Sequence, residues 1–156
     1  MTGLATDTSQ EIGISTLNRR KTFITGHEGF IGGHLYKALE GHYREAWDIK
    51  EHDFRDINLL QKEHLEGVDT IFHLAAMPRV PLSIDQPFFT NYHNVGATVR
   101  LFAVARKAGV RRIVFSSSSS VYGNQDKLPL TEEMTPNPLS PYGLQKLIGE
   151  QYAKMF

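Results

Sequence analysis

The chain has 156 residues, with 17 Lys and Arg balanced by 17 Asp and Glu and no cysteine. That length supports one domain with a real core. Zero net charge argues against a nucleic-acid partner, and the missing cysteine excludes disulfides, thiolate zinc sites and a cysteine nucleophile.

Residues 1–20 lack a continuous apolar signal core and are expected to form a disordered, polar tail ending in Arg19-Arg20. Asp7 and Glu11 count against a transit peptide. No apolar run reaches membrane-spanning length, so the expectation is a cytoplasmic protein with no membrane contact. Lys21–Thr25 is a short strand that stops at Gly26, and Gly29 to about Glu40 reads as a helix with Ile31, Leu35, Ala38 and Leu39 at helical spacing. Tyr43–Ile49 is a weaker strand, Asp53–Phe54 a very short one, and Asp56 caps a helix running to about Leu65. Thr70–Leu74 is an apolar strand, followed by a loop at Met77–Pro87. Phe88 to Ala108 reads as one long helix with Gly109 as its C-terminal cap. Arg112–Ser116 is a further buried strand, and residues 117–140 form a Ser- and Pro-rich loop. Ser140 then caps a last helix with Pro141 in its first turn. Strands alternating with helices imply an α/β domain over residues 21–156, a doubly wound parallel sheet with helices on both faces.

Three features carry chemistry. The turn Gly26-His27-Glu28-Gly29-Phe30-Ile31-Gly32 joins the first strand to the first helix. Its first glycine permits a tight turn, the middle one lets backbone N–H groups approach a pyrophosphate, and the last allows close packing of helix on strand. The helix N-terminus adds partial positive charge. The spacing is G-x-x-G-x-x-G, and His27 and Glu28 are expected to face solvent. Asp48 follows about twenty residues later, where a carboxylate accepts hydrogen bonds from an adenosine ribose and repels a 2′-phosphate. That favours NAD, while Lys50 and His52 leave NADP open. Finally, Tyr142 and Lys146 stand four apart, on one face of the last helix. An ammonium there favours the ionised form of the phenol, and an ionised phenol can act as a general base. Arg79, in the loop after the third strand, is a candidate substrate contact. The seven histidines show no ligand spacing backed by carboxylates, so no metal is expected.

Together these segments resemble the extended short-chain dehydrogenase/reductase family, and within it the nucleotide-sugar epimerases. Thr25 to Gly32 is similar to the family's TGxxGFIG turn, which makes Phe30 and Ile31 cofactor neighbours alongside Gly26, Gly29 and Gly32. Asp53-Phe54-Arg55-Asp56 resembles an element whose first two residues flank the adenine. His73-Leu74-Ala75-Ala76 resembles the HLAA strand end, where the backbone of Leu74, Ala75 and Ala76 passes the dinucleotide; Val80 and Ser83 continue that pattern. Asn94 lies in an NVxGT-like segment, with Ala97 where the family usually has glycine, and Ser116 opens an SSSxxVYG-like segment. Ser140-Pro141-Tyr142 with Lys146 resembles SPYxxxK.

The resemblance implies a Rossmann-type domain that binds NAD and acts on a nucleotide sugar. Ser118, Tyr142 and Lys146 would be catalytic, with Ser118 and Tyr142 also touching the substrate. Related 4,6-dehydratases place Asp and Glu directly after the catalytic serine, and related decarboxylases keep the Glu; here those positions are Ser119 and Ser120. The sequence therefore tilts towards epimerisation, at C4 of a UDP-sugar. A non-catalytic nucleotide-binding module and a related reductase or dehydrogenase are the alternatives. Complete family members continue past the Tyr-Lys helix with another strand and a substrate-binding region, so the sheet is expected to be incomplete at its C-terminal edge. An open edge at Ile113-Val114-Phe115 would invite pairing with a second chain, and self-association or poor solubility is the expectation.

Overall fold

The computed structural model describes residues 21–40, 44–47 and 60–156. The expected tail at 1–20, the short strand at Asp53–Phe54 and the cap at Asp56 lie outside the described residues, as does Asp48.

Strand β1 (Lys21–Thr25) places Phe23 and Ile24 in succession, and both are fully buried. Consecutive strand residues point to opposite faces, so the sheet is covered on both sides at β1. Parallel to β1 run β2 (Arg44–Trp47), with Phe23 opposite Glu45, and β3 (Val68–His73), with Phe23 opposite Ile71. Strand β4 (Arg112–Phe115) extends the other side of β3, with Ile71 opposite Ile113. The order is β2-β1-β3-β4. Helix α1 (Phe30–Ala38) carries the chain from β1 out to β2; the chain then crosses back over β1 to β3 and moves the opposite way to β4. The reversal puts a crevice beyond the carboxyl ends of β1 and β3, the usual ligand position in an open α/β sheet.

Between β3 and β4 the structure departs from the sequence expectation twice. The segment expected as a loop at Met77–Pro87 contains a short helix α2 (Val80–Asp85), with Pro81 in its first turn, where a missing N–H costs nothing. The expected single helix from Phe88 to Ala108 is helix α3 (Pro87–Asn91), a π turn at Tyr92–Gly96, and helix α4 (Ala97–Ala108). The wider π turn lies where Asn94 is buried. Helix α4 buries Ala97, Leu101, Val104 and Ala105 against Phe23, Leu65, Val68 and Ile71, which together form the main core. Gly109 ends it in the left-handed conformation at φ 76°, as the sequence predicts.

Strand β4 is less buried than expected: Arg112 and Val114 are exposed while Ile113 and Phe115 are half-buried. Among the described residues β4 pairs only with β3, so it forms the edge of the described sheet. The Ser- and Pro-rich stretch after it contains one 3-10 turn, Ser119–Val121, capped by Ser118, whose Oγ accepts from the N–H of Ser120 at 3.2 Å. Of the helix expected over Asp56–Leu65, the described part is a 3-10 turn at Lys62–Leu65. Helix α5 (Pro141–Ala153) is the last described element, its first turn capped by Ser140 Oγ accepting from Gly143 N–H at 3.1 Å.

Candidate functional site

The glycine turn after β1 is shaped by space. Gly26 has φ +76°, and a Cβ there would fall 2.8 Å from the backbone nitrogen of Ala75. A Cβ on Gly32 would fall 2.0 Å from the carbonyl oxygen of Gly26. The turn is thus pressed against the end of β3 on one side and against α1 on the other. Helix α1 begins at Phe30 with no side-chain cap from Gly29, so its first-turn N–H groups are left for another acceptor. Phe30 and Ile31 are 85% and 63% exposed, apolar surface set open at the mouth of the turn.

Behind the turn, a hydrogen-bonded chain locks β1, β3 and α4 together through His73. Thr98 Oγ1 donates to the carbonyl of Asn94 at 2.6 Å, so it must accept from His73 Nε2 at 2.9 Å. His73 Nδ1 is then unprotonated and accepts from Thr25 Oγ1 at 2.7 Å, and Thr25 Oγ1 in turn accepts from the N–H of Ala75 at 3.2 Å. The neutral Nε2–H imidazole is the one form that satisfies every partner. Burial, and secondarily the charge of Lys146, lowers the His73 pKa from 6.5 to about 3. The folded protein therefore refuses a proton that the unfolded chain accepts between pH 6.5 and about 3, and stability drains away as pH falls through that window. Fully developed, the loss is roughly 5 kcal/mol. Urea unfolding of wild type and His73→Gln from pH 7 to pH 4 checks this. The wild type should lose stability more steeply, and parallel slopes would contradict the assignment.

Helix α5 brings the catalytic candidates to the same crevice. Tyr142 and Lys146 are 7% and 4% exposed. Lys146 Nζ donates to the carbonyl of Ser116 at 2.8 Å and sits 4.7 Å from the centroid of the Phe115 ring. Burial lowers its pKa from 10.5 to about 8, so it keeps its proton at neutral pH. The start of α5 is pinned from a distance: Ser83 Oγ, fully buried in α2, accepts from the backbone N–H of Tyr142 at 3.0 Å and donates to the carbonyl of Val80 at 2.7 Å. That bond satisfies one of the otherwise orphaned N–H groups of the helix N-terminus. Further along, Gln145 Oε1 accepts from Asn94 Nδ2 at 2.8 Å, and its Nε2 donates to Thr90 at 3.0 Å.

A cleft of about 550 Å³ joins these parts. Of the residues expected at the cofactor, Gly26, Gly29, Phe30, Ile31, Gly32, Leu74, Ala75, Ala76, Ser116, Tyr142 and Lys146 all line it. Asn94, expected among them, stands behind the wall: its amide accepts from Met77 N–H at 2.7 Å and donates to Met77 O at 3.1 Å, so it fixes the loop after β3. Ser118 caps its own 3-10 turn and Arg79 is exposed at the start of α2; neither is among the lining residues. Asp48, Asp53 and Phe54 lie outside the described residues. Three lining residues were not anticipated: Glu28, which sequence reasoning turned to solvent, Pro78 and Ser117. Position within the serine run could have raised Ser117, since it stands between two residues already singled out.

The family model for the NAD dependent epimerase/dehydratase family matches residues 22–156. The chain belongs to this family. A UDP-glucose 4-epimerase of Mycolicibacterium smegmatis is 36% identical over 160 aligned positions, covering 87% of this chain and 51% of that protein. Among solved structures, MoeE5 in complex with UDP-glucose and NAD aligns at TM-score 0.78 and 40% identity, covering 85% of this chain and 48% of that one. TunA, an NAD-dependent NDP-hexosamine 5,6-dehydratase, aligns at TM-score 0.80 and 31% identity, covering 87% and 49%. The chain thus spans about half the length of the relatives it matches. NAD is the cofactor of this epimerase/dehydratase family, and the residues present fit it. The turn packs without side chains at Gly26 and Gly32 against β3 and α1, and the first-turn N–H groups of α1 carry no side-chain cap, the arrangement that receives a pyrophosphate.

Proposed function

We propose that the protein carrying this chain is a nucleotide-sugar epimerase that inverts C4 of a UDP-sugar. One observation supports the reading above others: Tyr142 and Lys146 line the same cleft as the glycine turn, with the ammonium held by the carbonyl of Ser116. NAD would be held by the glycine turn and Lys146 and would supply the hydride chemistry. Tyr142 takes the proton from the sugar hydroxyl and later gives it back. Lys146, charged at neutral pH, stabilises the phenolate and holds the nicotinamide ribose. Ser118 stands outside the cleft lining with its Oγ accepting from Ser120 N–H, and it is the family resemblance that assigns its remaining O–H to the reacting oxygen. Inversion follows when the transient keto-sugar turns and presents its opposite face. The protein supplies binding, orientation and electrostatics around that chemistry.

Elimination of water would need a carboxyl acid and base beside the catalytic serine. Ser119 and Ser120 occupy those positions, which favours epimerisation over the dehydratase chemistry named for TunA. The likeness to TunA keeps that second reaction as the competitor. Incubating the protein from its complete reading frame with UDP-glucose and NAD separates them. Epimerisation gives UDP-galactose with no net change in absorbance at the reduced-cofactor band. A product lighter by one water would establish a dehydratase, steady accumulation of reduced cofactor a dehydrogenase, and cofactor binding without turnover a non-catalytic module.

A further inference from the structure

Helix α5 lies along the segment after β4 in strict register. Gly149 faces the Phe115 ring so closely that a Cβ there would fall 2.5 Å from a ring carbon. Lys146 Nζ holds the carbonyl of Ser116 at 2.8 Å. One turn beyond, the Glu150 carboxylate meets the hydroxyl of Ser117. Three successive residues, Phe115 to Ser117, are therefore held by one face of α5, which fixes the start of the serine run beside Lys146. The polarity of the last contact is fixed by chemistry. A carboxylate only accepts hydrogen bonds, and serine has a single O–H to give. Ser117 gives its proton to Glu150 and lines the cleft, so what its oxygen offers a ligand there is a lone pair and not a proton.

We propose that Ser117 is a ligand-contacting acceptor in this cleft and that Glu150 is the positioning residue that sets its polarity. The group it recognises is a hydrogen-bond donor, a hydroxyl or an amide N–H, bound beside Lys146 and Tyr142. Such a donor can belong to the sugar or to the nicotinamide end of the dinucleotide, and the assignment to a sugar rests on the epimerase reading above. An acceptor of fixed polarity rejects a ligand that offers only lone pairs at that point, because two acceptors would then face each other desolvated. The pair thus adds selectivity that the Tyr142 and Lys146 pair alone does not supply.

The test is a double-mutant cycle on the protein from its complete reading frame, reading NAD Kd by titration and KM and kcat with UDP-glucose. Ser117→Ala is expected to cost about tenfold, the worth of one such hydrogen bond. A rise in NAD Kd assigns the donor to the dinucleotide; a change in KM or kcat with Kd intact assigns it to the sugar. Glu150→Ala should move the same parameter in the same direction, and the double variant should be no worse than Ser117→Ala alone. A purely structural role would instead couple the two residues only in the unfolding midpoint, with no coupling in Kd, KM or kcat, which would overturn the proposal. So would Ser117→Ala with Kd, KM and kcat all within about twofold of wild type. The Ser117 variant decides the matter if Glu150→Ala does not fold. Wild type that binds NAD without turning over UDP-glucose sinks the epimerase reading and leaves the Kd comparison intact.

Discussion

Replacing Tyr142 with phenylalanine should lower kcat for epimerisation by about 10²- to 10⁴-fold, the range of a positioned acid-base group. The change removes one oxygen from a side chain that is 7% exposed and leaves its ring to pack as before. The backbone N–H that Ser83 holds is untouched. NAD affinity should therefore stay within about tenfold of wild type, since a single hydrogen bond is the most that can be lost. An unimpaired Tyr142→Phe enzyme would remove Tyr142 from the mechanism. The companion signature is in the pH profile. Lys146 discharges as pH rises through about 8, because burial disfavours its cation, so kcat/KM of the wild type should decline on the alkaline side from near that value. A flat profile to pH 10 would show that the charge of Lys146 is not needed.

The second large effect belongs to the glycine turn. Gly32→Ala would place a methyl group 2.0 Å from the Gly26 carbonyl oxygen and 2.8 Å from the Cα of His27. Both are backbone atoms, so nothing flexible can step aside, and α1 must back away from the end of β1. Overpacking of this kind costs about 1–3 kcal/mol, and the displaced N–H groups should weaken NAD binding by about 10- to 100-fold. Gly33→Ala is the control one residue on. Its Cβ would lie 3.4 Å from the carbonyl of His27, an ordinary contact. NAD titration and unfolding of the two variants side by side give the answer. Equal, near-wild-type affinity in both would show that the close approach at Gly32 does not shape the cofactor site.

The parts of this protein that could be read in the sequence are those fixed by local chemistry. Ser140-Pro141 announces the start of α5 because a cap and a helix-compatible proline act within one turn. Gly109 announces the end of α4 for the same kind of reason. The glycine turn was legible because it sits between a strand and a helix. What escaped is held by distant partners. Helix α2 contains a proline and is bounded by another, and its docking depends on Ser83 reaching Tyr142, 59 residues away. The π turn at Tyr92–Gly96 breaks a periodicity that reads equally well as one helix. Asn94 was placed at the cofactor by resemblance, and only the fold shows both ends of its amide engaged by Met77 and Gln145. Ser117 stands in a run of identical residues, where its place between Ser116 and Ser118 is the one sequence signal that marks it as lining the cleft. Glu150 stands one turn after Lys146, and extending the Tyr-Lys face by that turn would have found it.

The bond between Ser83 and the N–H of Tyr142 also orders events in time. Translation proceeds from the N-terminus, so Gly26, Gly32 and Ala75 are made well before Tyr142. Ser83 and the network of Thr90 and Asn94 must then wait for the helix that satisfies them. The two sides of the cleft are therefore joined only when helix α5 docks, through bonds to residues 51 to 59 positions upstream.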